Sequence, residues 1–325
     1  MALITSIQQV KQVLRISSVD SDSSLPDMAE AEYTHIIPKI GKELYDELHT
    51  AYSENNLTEI QEELLLRIQK PLAAYAYYDS LAIQHAMIID AGVRRTTTDN
   101  MPSAFRWEFD GVKEVLANKA AQGMESLLEW LEENKVSFPT YTGSDAYAER
   151  SRFLLKSAQD FSNQYRIDQK YRTYNALLTI MDDVEQLYIN SMIGADFFAE
   201  LKALAAPTDL DKEVISYLKK AIAHLTLNHA FEKNTVTMTE KGPSIYDRYA
   251  DRGSSDRTQP SMDMMTATMQ ALQRDGQTYL KKAKKVLDAN ASGTVFETYF
   301  TSTHYSAPAE PVDQNKGRGF FTFIR

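Results

Sequence analysis

Asp182, Asp183 and Glu185 fall within one turn of a segment patterned as a helix, LLTIMDDVEQLYI. An Asp-Asp-x-x-Asp spacing would put three carboxylates on one helix face, where they could hold magnesium against a pyrophosphate. Here Gln186 stands where the last acid belongs, and a matching earlier segment has Ala29, Glu30 and Glu32. The group therefore reads as a solvated helix face. Asp20 and Asp22 begin a calcium-loop spacing, but Leu25 replaces the required Gly and Ala31 the required Glu. Six histidines, at 35, 49, 85, 224, 229 and 304, form no His-Glu-x-x-His motif, and His224 and His229 are five apart, a poor spacing for one shared face. No phosphate-cradling glycine loop and no nucleophile elbow is present. With no cysteine, disulfides, thiolate metal sites and cysteine nucleophiles are excluded. Lys281, Lys282, Lys284 and Lys285 make the strongest basic cluster, and at a helix C-terminus they complement the helix dipole. The tyrosines 75, 77 and 78 and the methionines 262, 264, 265 and 269 read as core and interface, not as a ligand box. The expectation is a protein that is not an enzyme and carries no catalytic residue, metal or cofactor.

What positions these residues is a repeated scaffold. Ile36–Leu48, IIPKIGKELYDEL, recurs as Ile189–Leu201, INSMIGADFFAEL, with five identities in thirteen ungapped positions. About one is expected by chance from ordinary composition. The correspondence continues at an offset of 150 to 153: Leu3/Leu154, Gln8/Gln159, Arg15/Arg166, Met28/Met181, Glu32/Glu185, Gly92/Gly242 and Gly123/Gly276. The reading is a mainly all-α chain built as a tandem duplication of a helical bundle, with short extended segments and an extended C-terminal tail. Repeat 1 spans 1–138, a linker 139–150, repeat 2 spans 151–290, and the tail is 291–325, without counterpart in the first copy.

Within each repeat, apolar residues at spacings of three and four predict helices over 4–16, 28–36, 42–52, 59–85, 105–134, 213–233 and 262–287. Pro71 predicts a kink or a junction in the 59–85 helix. The stretch 87–98, β-branched around Gly92, predicts a short hairpin. Pro38 is expected to stop one helix and Gly41 to turn into the next, as Gly194 does in the second copy; these three are the predicted structural hinge. Twelve Gly and ten Pro leave little room for the turns of an all-β fold. A net charge of −10 argues against a general nucleic-acid binder. The N-terminal stretch lacks a signal-peptide pattern and no apolar run reaches membrane length, so a soluble protein on the cytoplasmic side is expected. The chain ends KGRGFFTFIR, and Arg318, Phe320, Phe321, Phe323, Ile324 and Arg325 form an anchor able to dock on a neighbouring chain or on its own domain.

IIPKIGKELYDEL after a Leu-Pro-Asp helix start, then PLAAYAYYDS, IIDAGVRRTT and an acidic helix ending LLEWLEEN, resembles a two-domain helical family of Bacteroidetes-type phages and prophages. Each half is also similar to phage head–tail connector, or adaptor, proteins. That resemblance implies a virion protein, assembled in the host cytoplasm as a homo-oligomeric ring that contacts portal or tail proteins. DNA would pass through the ring as cargo. Connectors have one bundle, so the duplication departs from their pattern. Two other readings remain: another neck or tail completion protein, and a cytosolic helical module binding a peptide or small ligand.

Overall fold

The computed structural model describes residues 2–14, 22–89, 92–95, 105–167, 171–233, 236–239, 242–245 and 262–308. The first repeat contains α1 (Ile7–Leu14), α2 (Met28–Ala31), a π-helical turn (Glu32–Ile36), α3 (Ile37–Ile40), α4 (Lys42–Ser53), α5 (Glu59–His85), β1 (Ala86–Ile89), β2 (Gly92–Arg95), α6 (Arg106–Glu133), α7 (Pro139–Thr142) and α8 (Asp145–Ser151). The second contains α9 (Ala158–Gln164), α10 (Tyr171–Val184), a π-helical turn (Glu185–Asn190), α11 (Ser191–Ile193), α12 (Ala195–Ala203), α13 (Asp209–Lys233), β3 (Val236–Thr239), β4 (Gly242–Ile245), α14 (Met262–Asn290) and α15 (Glu297–Phe300). The chain is a duplicated helical domain. Its described strands are two antiparallel hairpins, Ala86 opposite Arg95 and Val236 opposite Ile245, one in each copy.

Each copy is built on a long helical hairpin, α5 with α6 and α13 with α14. On α5, Leu64, Ile68 and Leu72 fall every four residues and are fully buried, each stabilising the fold by about 1.5–3 kcal/mol. Small residues let the helices approach closely. A Cβ on Gly123 of α6 would lie 3.0 Å from Pro71 Cδ, and one on Gly276 of α14 would lie 2.7 Å from Leu225 Cγ. Here α5 runs unbroken through Pro71. The helix junction expected there does not form, and Gly123 on the partner helix leaves room for the pyrrolidine ring.

The division into compact units differs from the boundaries read in the sequence. One unit comprises residues 1–180 with 227–269, the other 181–226 with 270–325, so the boundary crosses α10, α13 and α14. Residues 139–150, expected as a linker, form α7 and most of α8, and Tyr141 is fully buried in the first unit's core. The first part of the expected tail is likewise folded. α15 packs on α12, with Tyr299 fully buried and 5.4 Å from Phe197 between ring centroids.

These two segments are one element used twice. Phe138-Pro-Thr-Tyr141-Thr-Gly-Ser144 matches Phe296-Glu-Thr-Tyr299-Phe-Thr-Ser302 at four of seven positions, at an offset of 158. α7 packs on α4 as α15 packs on α12. Ser144 Oγ donates to the Tyr141 carbonyl at 2.7 Å, and Ser302 Oγ to the Tyr299 carbonyl at 2.7 Å. The segment 291–325 therefore does have a counterpart in the first copy, over its beginning.

Candidate functional site

The repeated unit's fixed point is a glycine between two helices. Gly41 has φ 88° and ψ 146°, Gly194 φ 86° and ψ 142°, a conformation that only glycine adopts without strain. Each ends one helix and starts the next. Gly41 N–H donates to the Ile37 carbonyl, while its own carbonyl accepts from Tyr45 N–H. Above each glycine lies the duplicated tyrosine element or the chain just after it. A Cβ on Gly41 would come within 2.6 Å of Ser144 Cβ, and one on Gly194 within 3.1 Å of the His304 ring.

Pro38 does not stop its helix. The π-helical turn Glu32–Ile36 leads directly into α3, which carries Pro38 in its first turn and continues to Ile40. The second copy keeps a π turn with Ser191 in the proline's place, so the proline accommodates the turn and does not cause it. Arg318, Phe320, Phe321, Phe323, Ile324 and Arg325 lie outside the described residues.

A duplicated acidic position stands at the start of both π turns. Glu32 and Glu185 are 2% and 4% exposed, so Glu185 is not part of a solvated face, as the sequence suggested. The wide turn adds a residue per turn, which brings Glu32 with Ile36, and Glu185 with Ile189, to the buried side. Glu32 accepts the Leu3 backbone N–H at 2.6 Å and the Tyr45 hydroxyl at 2.7 Å. The Leu3 carbonyl accepts Gln69 Nε2 at 2.8 Å, so the N-terminal segment is held from both sides. Burial raises the Glu32 pKa above its ordinary value, against the opposing pull of these hydrogen bonds, of His49 and of the N-terminus. In the second copy Phe198 replaces Tyr45, and Lys202, at the position of His49, pairs with Glu185 at 3.2 Å. Paired burial of this kind fixes geometry; neither carboxylate is exposed for catalysis.

The second unit contains an open cavity of about 780 Å3, lined by Leu187, Met192, Leu280, Lys281, Lys285 and Pro308 among others. Beside it is a polar cluster. Lys284 Nζ donates to Asp288 Oδ1 at 2.7 Å, to the Tyr299 hydroxyl at 2.6 Å and to the His304 carbonyl at 2.8 Å. The Tyr299 hydroxyl donates to Asp288 at 2.5 Å. Burial and the neighbouring Asp288 carboxylate push the Tyr299 pKa up, so its phenolate is not available as a base. For Asp288, burial works upward, but Lys284, Tyr299 and the Ser306 N–H hold its pKa below the ordinary value. The cluster is a charge-assisted clamp that ties α14 to the segment after α15.

Two of the histidines, His35 and His224, are held in contacts with neighbouring side chains and backbone. His35 stacks on Tyr75 at 4.2 Å and contacts Asp79 at 2.7 Å, while His224 Nδ1 approaches the Lys220 carbonyl at 2.7 Å. Among the described residues no group of three His, Asp or Glu side chains could hold a metal, and no helix is long and apolar enough to cross a membrane. Apolar surface is left open instead. The stripe of α6 buries Met124, Leu127, Leu128 and Leu131, but the same helix exposes Val112 and Val115, and Phe105 just before it is 69% exposed.

A family model described as "Family of unknown function (DUF6712)" matches residues 36–151 and 168–309. Each matched stretch extends beyond the duplicated tyrosine element of its copy. Comparison with curated proteins and with solved structures found no match.

Proposed function

We propose that this chain, which belongs to the family of unknown function DUF6712, is a virion structural protein, a head–tail connector that forms a ring at the portal and bridges it to the tail around the DNA channel. The observation that carries this reading is what the duplication retained. The paired positions are glycine turns, buried glutamates held in place, and tyrosine–serine locks, all of which stiffen a scaffold. Supporting it, Phe105, Val112 and Val115 leave apolar surface exposed around the start of α6, and apolar surface of that kind marks association faces. A net charge of −10 suits a channel through which DNA slides, since attraction to phosphates would retard it. The ring acts mechanically: it keeps the channel open and joins two assemblies of the particle, with no chemistry of its own.

The test is the mass of the intact assembly, by light scattering and by electron microscopy, alone and mixed with a phage portal protein. A closed multimer, or a stoichiometric complex with portal, is the expected outcome. A monodisperse monomer at high concentration under both conditions overturns the reading. Another neck or tail completion protein differs only in the neighbour it binds, which pull-down with individual virion proteins distinguishes. The cavity of about 780 Å3 favours a second reading, a helical module that binds a peptide or small ligand. A monomer that captures a ligand there would support it.

A further inference from the structure

Resting on the ring reading, we propose that neighbouring copies join head to tail, the lysine-flanked groove of the second unit seating the acidic face at the start of α5 in the next copy.

The groove has an apolar floor and a basic rim. Leu187 is 64% exposed at its edge, and Met192 and Leu280 line it. Lys281 and Lys285, one helical turn apart on α14, are both exposed, and among the described residues neither has an ion-pair partner. Lys284 between them is committed to the Asp288–Tyr299 clamp, so the rim keeps two cations for an outside partner.

The complementary face lies on the first unit. Glu59, Glu62 and Leu66 share one side of α5 at spacings of three and four. All three are exposed, Leu66 at 49%, and they border a shallow depression of about 690 Å3 whose apolar wall is Ile60 and Trp130. Neither Glu59 nor Glu62 has an ion-pair partner among the described residues; Glu63 beside them pairs with Arg67 at 2.8 Å. Glu47 and Glu54 line the adjoining depression and extend the negative field, while Asp46 there pairs with Lys42. Two unpaired anions beside an apolar ridge thus match two unpaired cations beside an apolar floor.

The two copies within the chain have diverged at these positions. Where the first copy has Glu62 the second has Lys212, and where the second has Lys285 the first has Glu132. Asp209 keeps the charge of Glu59, and Leu128 stands at the position of Lys281. Because the acidic face and the basic groove lie on non-equivalent helices, α5 and α14, their pairing between copies is heterologous, and such a contact closes into a ring when its rotation permits. Charge complementarity also fixes the register and rejects the like-charged pairing.

The experiment uses full-length protein and light scattering across a concentration series. Lys281→Glu with Lys285→Glu, and separately Glu59→Lys with Glu62→Lys, should each weaken assembly at least tenfold while circular dichroism stays unchanged. Mixing the two variants, or combining all four changes in one chain, should restore it, because every contact then pairs opposite charges again. Leu66→Ser is an uncharged companion that should also weaken assembly. If both charge variants assemble like wild type, or if mixing restores nothing, the docking proposal fails while the ring reading stands. If wild type is itself monomeric throughout and with portal, the ring reading has failed, and this proposal with it.

Discussion

Replacing Gly41 by alanine probes the turn around which each repeat is built. Two penalties combine. At φ 88° a side chain costs about 1–3 kcal/mol in backbone strain. The added Cβ would also stand 2.6 Å from Ser144 Cβ and 2.8 Å from Ser144 Oγ. Ser144 cannot yield cheaply. It is buried, donates to the Tyr141 carbonyl at 2.7 Å, and caps α8 by accepting the Tyr147 N–H at 3.2 Å. Displacing it forfeits about 1 kcal/mol of capping. The expected loss is therefore about 2–4 kcal/mol, a large share of an ordinary stability of about 5–15 kcal/mol. Urea unfolding followed by circular dichroism reads it as a lower midpoint with little change in slope. In a Ser144→Gly background the cost should fall by about 1 kcal/mol, since the clash is gone and the strain remains. Gly194→Ala should cost less than Gly41→Ala, because it meets an imidazole edge at 3.1 Å that can rotate aside. A Gly41→Ala cost below about 0.5 kcal/mol would refute the strain argument. An undiminished cost beside Ser144→Gly would refute the steric one.

Gly111 is the opposite case. It sits exposed inside α6 with open space around it, so Gly111→Ala should raise stability by about 0.5–1 kcal/mol, seen as a higher urea midpoint. The Tyr299 hydroxyl holds both Asp288 and Lys284, so Tyr299→Phe should cost about 1–3 kcal/mol. Tyr141→Phe should cost less, because that hydroxyl receives only a 3.4 Å contact from Arg150, and thermal melts of the two variants give the comparison. Glu32 supplies a pH signature. Its folded pKa is raised by burial, so its contribution to stability is most favourable below its ordinary value of 4.5 and is lost as pH rises through the folded value. Glu32→Gln should therefore gain on wild type as pH rises from below 4.5 to neutral. A melting-temperature difference that is constant across that range would show that burial does not perturb this carboxyl.

The sequence by itself determined the duplication, the helices and the two glycine turns. Those features are local: a period of three to four residues reports a buried stripe, and Ile-Gly repeated at a fixed offset reports a conformation that one residue type adopts freely. Tertiary structure decided what depends on distant residues. Glu32 and Glu185 look like any helix-surface acid, and only the packing of Leu3, Tyr45 and Lys202 around them makes them buried anchors. The tyrosine element was hidden for a related reason. Its offset moves to 158, its four identities are spread over seven residues, and one copy resembles a Pro-Gly linker while the other resembles a polar tail. What unites the two is the groove each fills, α7 on α4 and α15 on α12, and a surface assembled from separate helices leaves no mark on any single stretch of sequence.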